Sequence, residues 1–238
     1  GGHPQAQAYA WLQRLGHTIV APVSSLFTFN VPGDPIRDLM GVTLSARVRI
    51  AGSTMESTGP VLITHWGFSG PAVLRLSAWG ARLLNDLGYQ FTVQVNWLCD
   101  RSEEDVRRTF ADEAADLNRK RALNADPFHL PKRFWEHQLR KAGIDPSMIW
   151  GAVRKKERNR LIDLLTNDRF EVMGKTIFKE EFVTAGGVAL DEVNPLTMQS
   201  TLCPGLYFAG EVLDIDGISG GFNFQAAWTT GHLAGGLS

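Results

Sequence analysis

The stretch that most constrains the fold of this 238-residue chain is its end, Gly205 to Trp228. Leu206-Tyr207-Phe208-Ala209 reads as a buried strand, and it stops at Gly210-Glu211. A glycine-bearing loop follows. Gly220-Gly221-Phe222-Asn223 then opens a segment with helical character that runs through Gly231. Strand, turn, loop and helix in this order belong to an open α/β sheet, which binds ligands at the C-terminal edge of its strands. A helix N-terminus carries about half a positive elementary charge. That suits an anion, or a ring that gains electron density on reduction. A carboxylate at Glu211 can accept hydrogen bonds from sugar hydroxyls. The competing reading of the same residues is a structural loop and cap.

The charge distribution sharpens this. After Lys179 there is no Lys or Arg in the last 59 residues. An anion held by this end would therefore rely on backbone N–H groups and the helix dipole. Sixteen of the 24 Lys and Arg residues fall between Arg101 and Arg169, interleaved with Asp and Glu. Mixed signs cancel the field and read as solvated helix faces. With a net charge of -1, the expectation is no nucleic-acid partner and no membrane partner, and a gel shift at physiological salt is expected to fail. No apolar run approaches the roughly 20 residues that span a bilayer. Two cysteines, Cys99 and Cys203, make no disulfide framework, and no Cys/His cluster has zinc spacing, so no metal site is expected. The reading is a reduced, cytoplasmic, globular protein.

Along the chain, Gln5 to Leu15 has apolar positions at helical spacing and ends at Gly16, a natural C-cap. His17 to Val20 reads as a short strand. From Ser25 the texture turns to β. Ser25 to Val31 and Val42 to Ile50 alternate, and Pro60 to Thr64 could close a small antiparallel sheet or barrel. Gly67-Phe68-Ser69-Gly70-Pro71 leads into a helix over Ala72 to Leu87, with Ser69 or Gly70 as N-cap. Tyr89 to Leu98 is a strand candidate. Residues 102–170 read as charged helices, opened by Ser102 with three acids behind it.

Other candidate constellations are sparser. Phe182 to Ala189 carries the paired Gly186 and Gly187, which either make a bend between two strands or let another group approach the backbone. Asp191 to Pro195 reads as a turn. His65, beside Trp66, reads as a packed residue more readily than as a catalyst. His3, His17, His129, His137 and His232 form no triad or metal pattern. The G-x-S-x-G elbow, the Walker loop and the G-x-G-x-x-G fingerprint are absent from these residues.

Three stretches carry a resemblance: Thr64 to Ala72; Val183 to Val188 with Asn194 to Ser200; and Gly205 to Ala227. In these, and in Gly1-Gly2, Pro4 and Leu15-Gly16-His17, the chain resembles the C-terminal two thirds of the bacterial aminoacetone-oxidase-like flavoproteins, long labelled NAD(FAD)-utilising dehydrogenases. The resemblance implies an α/β fold with an α+β insert: a partial glutathione-reductase-type, Rossmann-like FAD domain interrupted by a small β-barrel and a helical bundle. Residues 1–24 and 181–238 would belong to the FAD domain. Residues 25–180 would be the insert, with the barrel over about 25–100 and the helical part over about 101–170.

The implied function is an FAD-dependent oxidoreductase that transfers hydride between a small organic substrate and flavin N5, with NAD(P)H open as a further cofactor. Gly210 and Glu211 would meet the ribityl-pyrophosphate region. Gly221, Phe222, Asn223 and Phe224 would sit at the isoalloxazine edge, with Gly220 also among the cofactor-binding residues. Thr184, Ala185, Gly186 and Gly187 would lie near the substrate pocket. No residue presents itself as a catalytic base. The family's N-terminal strand–glycine loop–helix, which holds the ADP half of FAD, has no counterpart here. The expectation is therefore weak or absent FAD binding unless that segment is supplied as a partner. The alternative is a non-catalytic insert module that binds a partner chain.

Overall fold

The computed structural model describes residues 6–174 and 183–236. Gly1, Gly2, His3, Pro4, Gln5 and Phe182, and the expected boundary between 180 and 181, lie outside them. The elements in chain order are α1 (Ala6–Arg14), β1 (Ile19–Ser25), β2 (Phe29–Asn30), β3 (Thr43–Ile50), β4 (Glu56–Ile63), β5 (Gly67–Ser69), α2 (Pro71–Trp79) and α3 (Ala81–Asp86). Then come β6 (Gln90–Asn96), α4 (Glu103–Asp112), α5 (Ala114–Leu117), α6 (Lys132–Ala142), α7 (Lys155–Thr166), β7 (Asp168–Met173), β8 (Val183–Val188) and α8 (Phe222–Gly235).

The described residues fall into two units. One comprises Phe29–Val73 and Gln90–Gly174. Its centre is a six-stranded antiparallel sheet in the order β2-β5-β4-β3-β6-β7. The sheet curls until it nearly closes: the Asn30 N–H, on one end strand, donates to the Gly174 carbonyl just past the other, at 3.4 Å. Alternation builds this barrel. Along β3, Leu44, Ala46, Val48 and Ile50 are buried, while Thr43, Ser45 and Arg49 face outward. Phe68 meets Phe170, and Trp97 meets Phe134 and Phe170, edge to face. The helices α4 to α7 bury a second cluster around Trp135, Leu139, Trp150, Leu161 and Leu165. Ser102 caps α4 in a reciprocal box with Asp105, as its spacing anticipates. Asp168 joins β7 to α6. Its buried carboxylate accepts from Trp97 Nε1 at 3.1 Å, Gln138 Nε2 at 3.1 Å and Lys141 Nζ at 2.6 Å. Burial pushes that carboxyl above its ordinary value, against the pull of Lys141 and the hydrogen bonds.

The other unit comprises the residues up to Thr28, Leu74–Tyr89 and the residues from Val183 onward. Here β1 and β8 pair antiparallel from Ile19–Val188 to Ser25–Val183, with an irregularity between Val20 and Val23. A parallel bridge adds Leu213 to Val188. Leu12, Val188, Val193, Met198, Phe208 and Leu213 form its core.

Three expectations change, and one open alternative is resolved. Ser25 to Val31 is not one strand, because Leu26 takes a left-handed φ of 55° and ends β1, leaving only Phe29–Asn30 beyond it. The helix expected over Ala72 to Leu87 breaks at Gly80 into α2 and α3. Leu206 to Ala209 is not a buried strand: Tyr207 bridges Gln199, Phe208 alone is buried and Ala209 is exposed. Met198, at a φ of 60°, and the turn at Pro204-Gly205 stop that pairing after one bridge. Gly186 and Gly187 do not bend the chain between strands but lie within β8, where the close approach they allow is used. A Cβ at Gly186 would stand 2.6 Å from the Ala21 carbonyl oxygen, and one at Gly187 would stand 2.4 Å from that of Val212.

A candidate cofactor cleft at the start of α8

The helix foreseen after Gly221 forms, as α8, and the geometry at its start is distinctive. Gly221 holds a left-handed φ of 86° and no side chain caps the helix. The first N–H groups of α8 thus face outward without intrahelical partners. The loop before it is clasped by one side chain. Asn223 Oδ1 accepts from Gly217 N–H at 2.7 Å, and Asn223 Nδ2 donates to the Gly217 carbonyl at 2.8 Å. The other end of the stretch is tied to the same helix. Gly210 N–H donates to Thr230 Oγ1 at 3.0 Å, and Thr230 Oγ1 donates in turn to the Ala226 carbonyl at 2.7 Å.

Between these anchors lies a cleft of about 460 Å³. Its walls are Leu26, Leu74, Val183, Ile218, Phe224 and Ala227; Glu211, Ser219, Gly220, Gly221 and Asn223 complete the lining. That size and apolar character, with a few convergent polar groups, are those of a small-molecule or cofactor site. Of the residues singled out in the sequence, Glu211, Gly220, Gly221, Asn223 and Phe224 come together here. Gly210 sits behind them at the start of a 3₁₀ turn, Gly210–Val212. Phe222 is exposed on the first turn of α8. Thr184, Ala185, Gly186 and Gly187 are buried within β8, whose contribution to the lining is Val183.

Reading the sequence missed the side chains around this core. Leu26 and Leu74 carry no local signal, since only the fold brings them to α8. Tyr9 also approaches Glu211. Burial raises its phenol above the ordinary value, and the Glu211 charge adds to that. The end of the chain does have a cation beside it: Arg82, on α3, stands 3.6 Å from Asp214 and donates to the Ala21 carbonyl at 3.3 Å. Next to that pair, the Asp216 carboxyl accepts from Ser25 Oγ at 3.0 Å, and burial, with Asp214, holds it above its ordinary range.

The histidines also regroup. His17, buried at 3% exposure, hydrogen-bonds Glu192 Oε2 through Nδ1 and Ser200 Oγ through Nε2, each at 3.0 Å. The order acid–imidazole–hydroxyl looks catalytic, but the hydroxyl is committed. Ser200 Oγ already accepts from the N–H groups of Leu202 and Cys203, so its proton points to Nε2. The Glu192 carboxylate accepts from Thr18 N–H as well. The chain of bonds rivets three segments together. His65 is exposed, with its ring edge-on to Trp66 and its carbonyl accepting from Arg37 Nε at 2.6 Å. Among the described residues no helix is long and apolar enough to cross a membrane, and no group of three or more His, Cys, Asp and Glu could hold a metal ion.

With the fold and the cleft in view, three of the relatives found among known proteins bear on this chain. A 3-dehydro-bile acid delta(4,6)-reductase of Clostridium scindens is 30% identical over 230 residues, covering 95% of this chain and 56% of that protein. A ribosomal RNA dihydrouridine synthase of Escherichia coli is 34% identical over 206 residues, covering 86% of this chain and 48% of that protein. Another protein of that name, from Haemophilus influenzae, is 29% identical over 229 residues, covering 94% and 53%. The chain spans about half the length of the curated relatives it matches.

These names correct one expectation. The chain was expected to have no nucleic-acid partner, yet two relatives are named for ribosomal RNA. Charge summed over whole stretches hides a local excess of cations, which is all that a binding face needs. A family model, the HI0933-like protein barrel and H2TH domain, matches residues 23–183, which take in the whole six-stranded sheet and the helices α4 to α7. Because that match covers more than half of its residues, the chain belongs to the HI0933-like barrel and H2TH domain family.

Proposed function

We propose that this chain carries the flavin-edge part of an FAD-dependent oxidoreductase, with the ring seated in the cleft at the start of α8. The observation that carries this reading is the apolar cleft opening on an uncapped helix N-terminus, with a carboxylate at its rim. The donor set fits a flavin. Unpartnered N–H groups and the positive helix end suit the electron-rich edge of a reduced ring. Glu211 suits ribityl hydroxyls as a hydrogen-bond acceptor. The aliphatic walls suit the flat face of the ring. Gly210, Glu211, Gly220, Gly221, Phe222, Asn223 and Phe224 are the proposed cofactor contacts, within an FAD domain of the glutathione-reductase type made by residues 1–24 and 181–238.

A flavin bound here would supply hydride exchange between its N5 and a substrate carbon. The chain's own residues prepare that exchange. Leu26, Leu74 and Ile218, as apolar walls, would shield a bound ring from water. The first turn of α8 stabilises negative charge where it develops, without reorganising. Asn223 holds the loop that shapes the entrance. Of the two reactions that the family resemblance suggests, oxidation of a small amine and reduction of a conjugated C=C bond, the name of the Clostridium scindens relative supports reduction. The reducing equivalents would come from a donor of the NAD(P)H class.

The two relatives named ribosomal RNA dihydrouridine synthase favour a second reading of the substrate: a uridine within RNA, whose ring double bond takes up two hydrogens.

The cleft is tested by titrating the chain with riboflavin and with FAD while following flavin fluorescence. Weak but saturable quenching is expected, since the chain carries only the flavin-edge part of the site. It is expected to disappear in Ala227→Trp, which fills the cleft from α8, while the circular dichroism spectrum stays unchanged. Quenching that survives this substitution would place the ring elsewhere.

A further inference from the structure

A second concave site lies in the barrel unit, on the outward faces of β3 and β6. It has a volume of about 340 Å³ and is lined by Arg47, Arg49, Glu56, Gln94, Asn96, Thr166 and Asn167. Strand register sets up this surface. Arg49 stands opposite Glu56 on β4 and Gln94 on β6, and Gln94 stands opposite Arg169 on β7. One row across four strands therefore reads Glu56, Arg49, Gln94, Arg169. Arg47, two residues along β3, lies on the same face, about 7 Å away.

These cations are poorly engaged. Arg47 stands 3.6 Å from Asp100 and Arg49 stands 3.9 Å from Glu56, both in exposed pairs longer than a hydrogen bond. Among the described residues no hydrogen bond is made by either guanidinium, by Arg169 or by the Gln94 amide. Exposed pairs of this kind are worth about 0–1 kcal/mol, so a phosphate can displace the carboxylates at little cost. Glu171, a further acid on this face, accepts from Thr92 Oγ1 at 2.9 Å and keeps its charge. The site thus offers two loosely paired guanidinium forks, Arg47 and Arg49, with the Gln94 amide beside them and Arg169 further along the same row; the Asn96 amide is tied to Arg101 and Leu98. Guanidinium forks match phosphate oxygens in pairs, and amides match base edges or sugar hydroxyls.

We propose that this face binds the sugar–phosphate backbone of single-stranded RNA, with Arg47 and Arg49 on successive phosphates and Gln94 and Asn167 beside them. The proposal rests on the second reading above, in which the substrate is an RNA base, and it assigns the barrel a role in holding that strand.

The experiment measures binding of a fluorescein-labelled 20-nucleotide oligo(U) to the 238-residue chain by anisotropy, across a salt series. Three proteins are compared: the wild type, Arg47→Gln/Arg49→Gln, and Lys155→Gln/Lys156→Gln on α7. The groove variant is expected to bind at least about tenfold more weakly and to lose about 1.4 from the slope of log K against log salt, some 0.7 per phosphate contact. The α7 variant, with the same loss of charge, is expected to stay within about twofold of the wild type. Equal weakening in both variants would reduce the effect to net charge and overturn the site. A wild type that binds while the groove variant binds equally well would overturn the site and leave the RNA-substrate reading standing. A wild type that fails to bind at low salt would overturn both.

Discussion

At the scale of single residues, the unit that holds the cleft depends on close approaches and committed hydrogen bonds. Gly186 and Gly187 let β8 lie against the carbonyls of Ala21 and Val212. His17, Glu192 and Ser200 rivet the start of β1 to the loop that leads toward Gly210. Burial opposes the charge on Glu192, but the hydrogen bonds from Thr18 and His17 outweigh it and hold the carboxyl below its ordinary value. A depressed carboxylate contributes stability above its unfolded value, about 4.3, and loses it as pH falls through the lower folded value. Denaturant midpoints measured from about pH 6 down to about pH 2.5 should therefore fall for the wild type by a component that Glu192→Gln lacks. An equal acid limb in the two proteins would mean that Glu192 is not held in this way. Little of this was legible in the sequence. The paired glycines announced a close approach, but nothing told which carbonyls they would meet. Glu192 and Ser200 are 175 and 183 residues from His17, a separation that no local spacing rule spans.

At the scale of elements, the start of α8 is decisive. Its glycines set the turn, and one amide side chain closes the loop in front of it. Asn223→Ala removes both bonds to Gly217 while leaving the helix in place. It should raise the flavin dissociation constant about five- to tenfold, the worth of about one hydrogen bond, with little change in the thermal midpoint. An unchanged dissociation constant would show that the loop is held without the clasp. Elements of this kind were the most legible part of the chain. The alternation in Val42 to Ile50 and the Ser102 box both state their structures locally. Two of the misread elements are ones in which one backbone angle overrides the pattern: Leu26 cutting the Ser25 to Val31 run, and Met198 cutting the pairing of Leu206 to Ala209. A left-handed Leu or Met is rarely signalled by its neighbours, because these residues visit that region only when tertiary contacts hold them there.

At the scale of the whole molecule, the chain joins an antiparallel barrel with its helical cluster to a unit built from three separate stretches. Periodicity exposed the barrel and the helices, because each strand and helix carries its own pattern. The other unit was readable only at the Gly205 to Trp228 stretch; its walls come from Leu26 and Leu74, which no motif connects to that end. Function divides in the same way. Family membership rests on the barrel and helical part, residues 23–183, while the cofactor reading rests on α8 and the loop before it. The central claim is that the loop and first turn of α8 hold a flavin. Amide chemical-shift mapping of the isotope-labelled chain, titrated with riboflavin, tests it most directly. The largest shifts are predicted at Leu26, Leu74, Glu211, Gly220, Gly221, Asn223 and Phe224. Shifts confined to the barrel, or saturating shifts that leave the Gly220 to Phe224 amides unmoved, would contradict it.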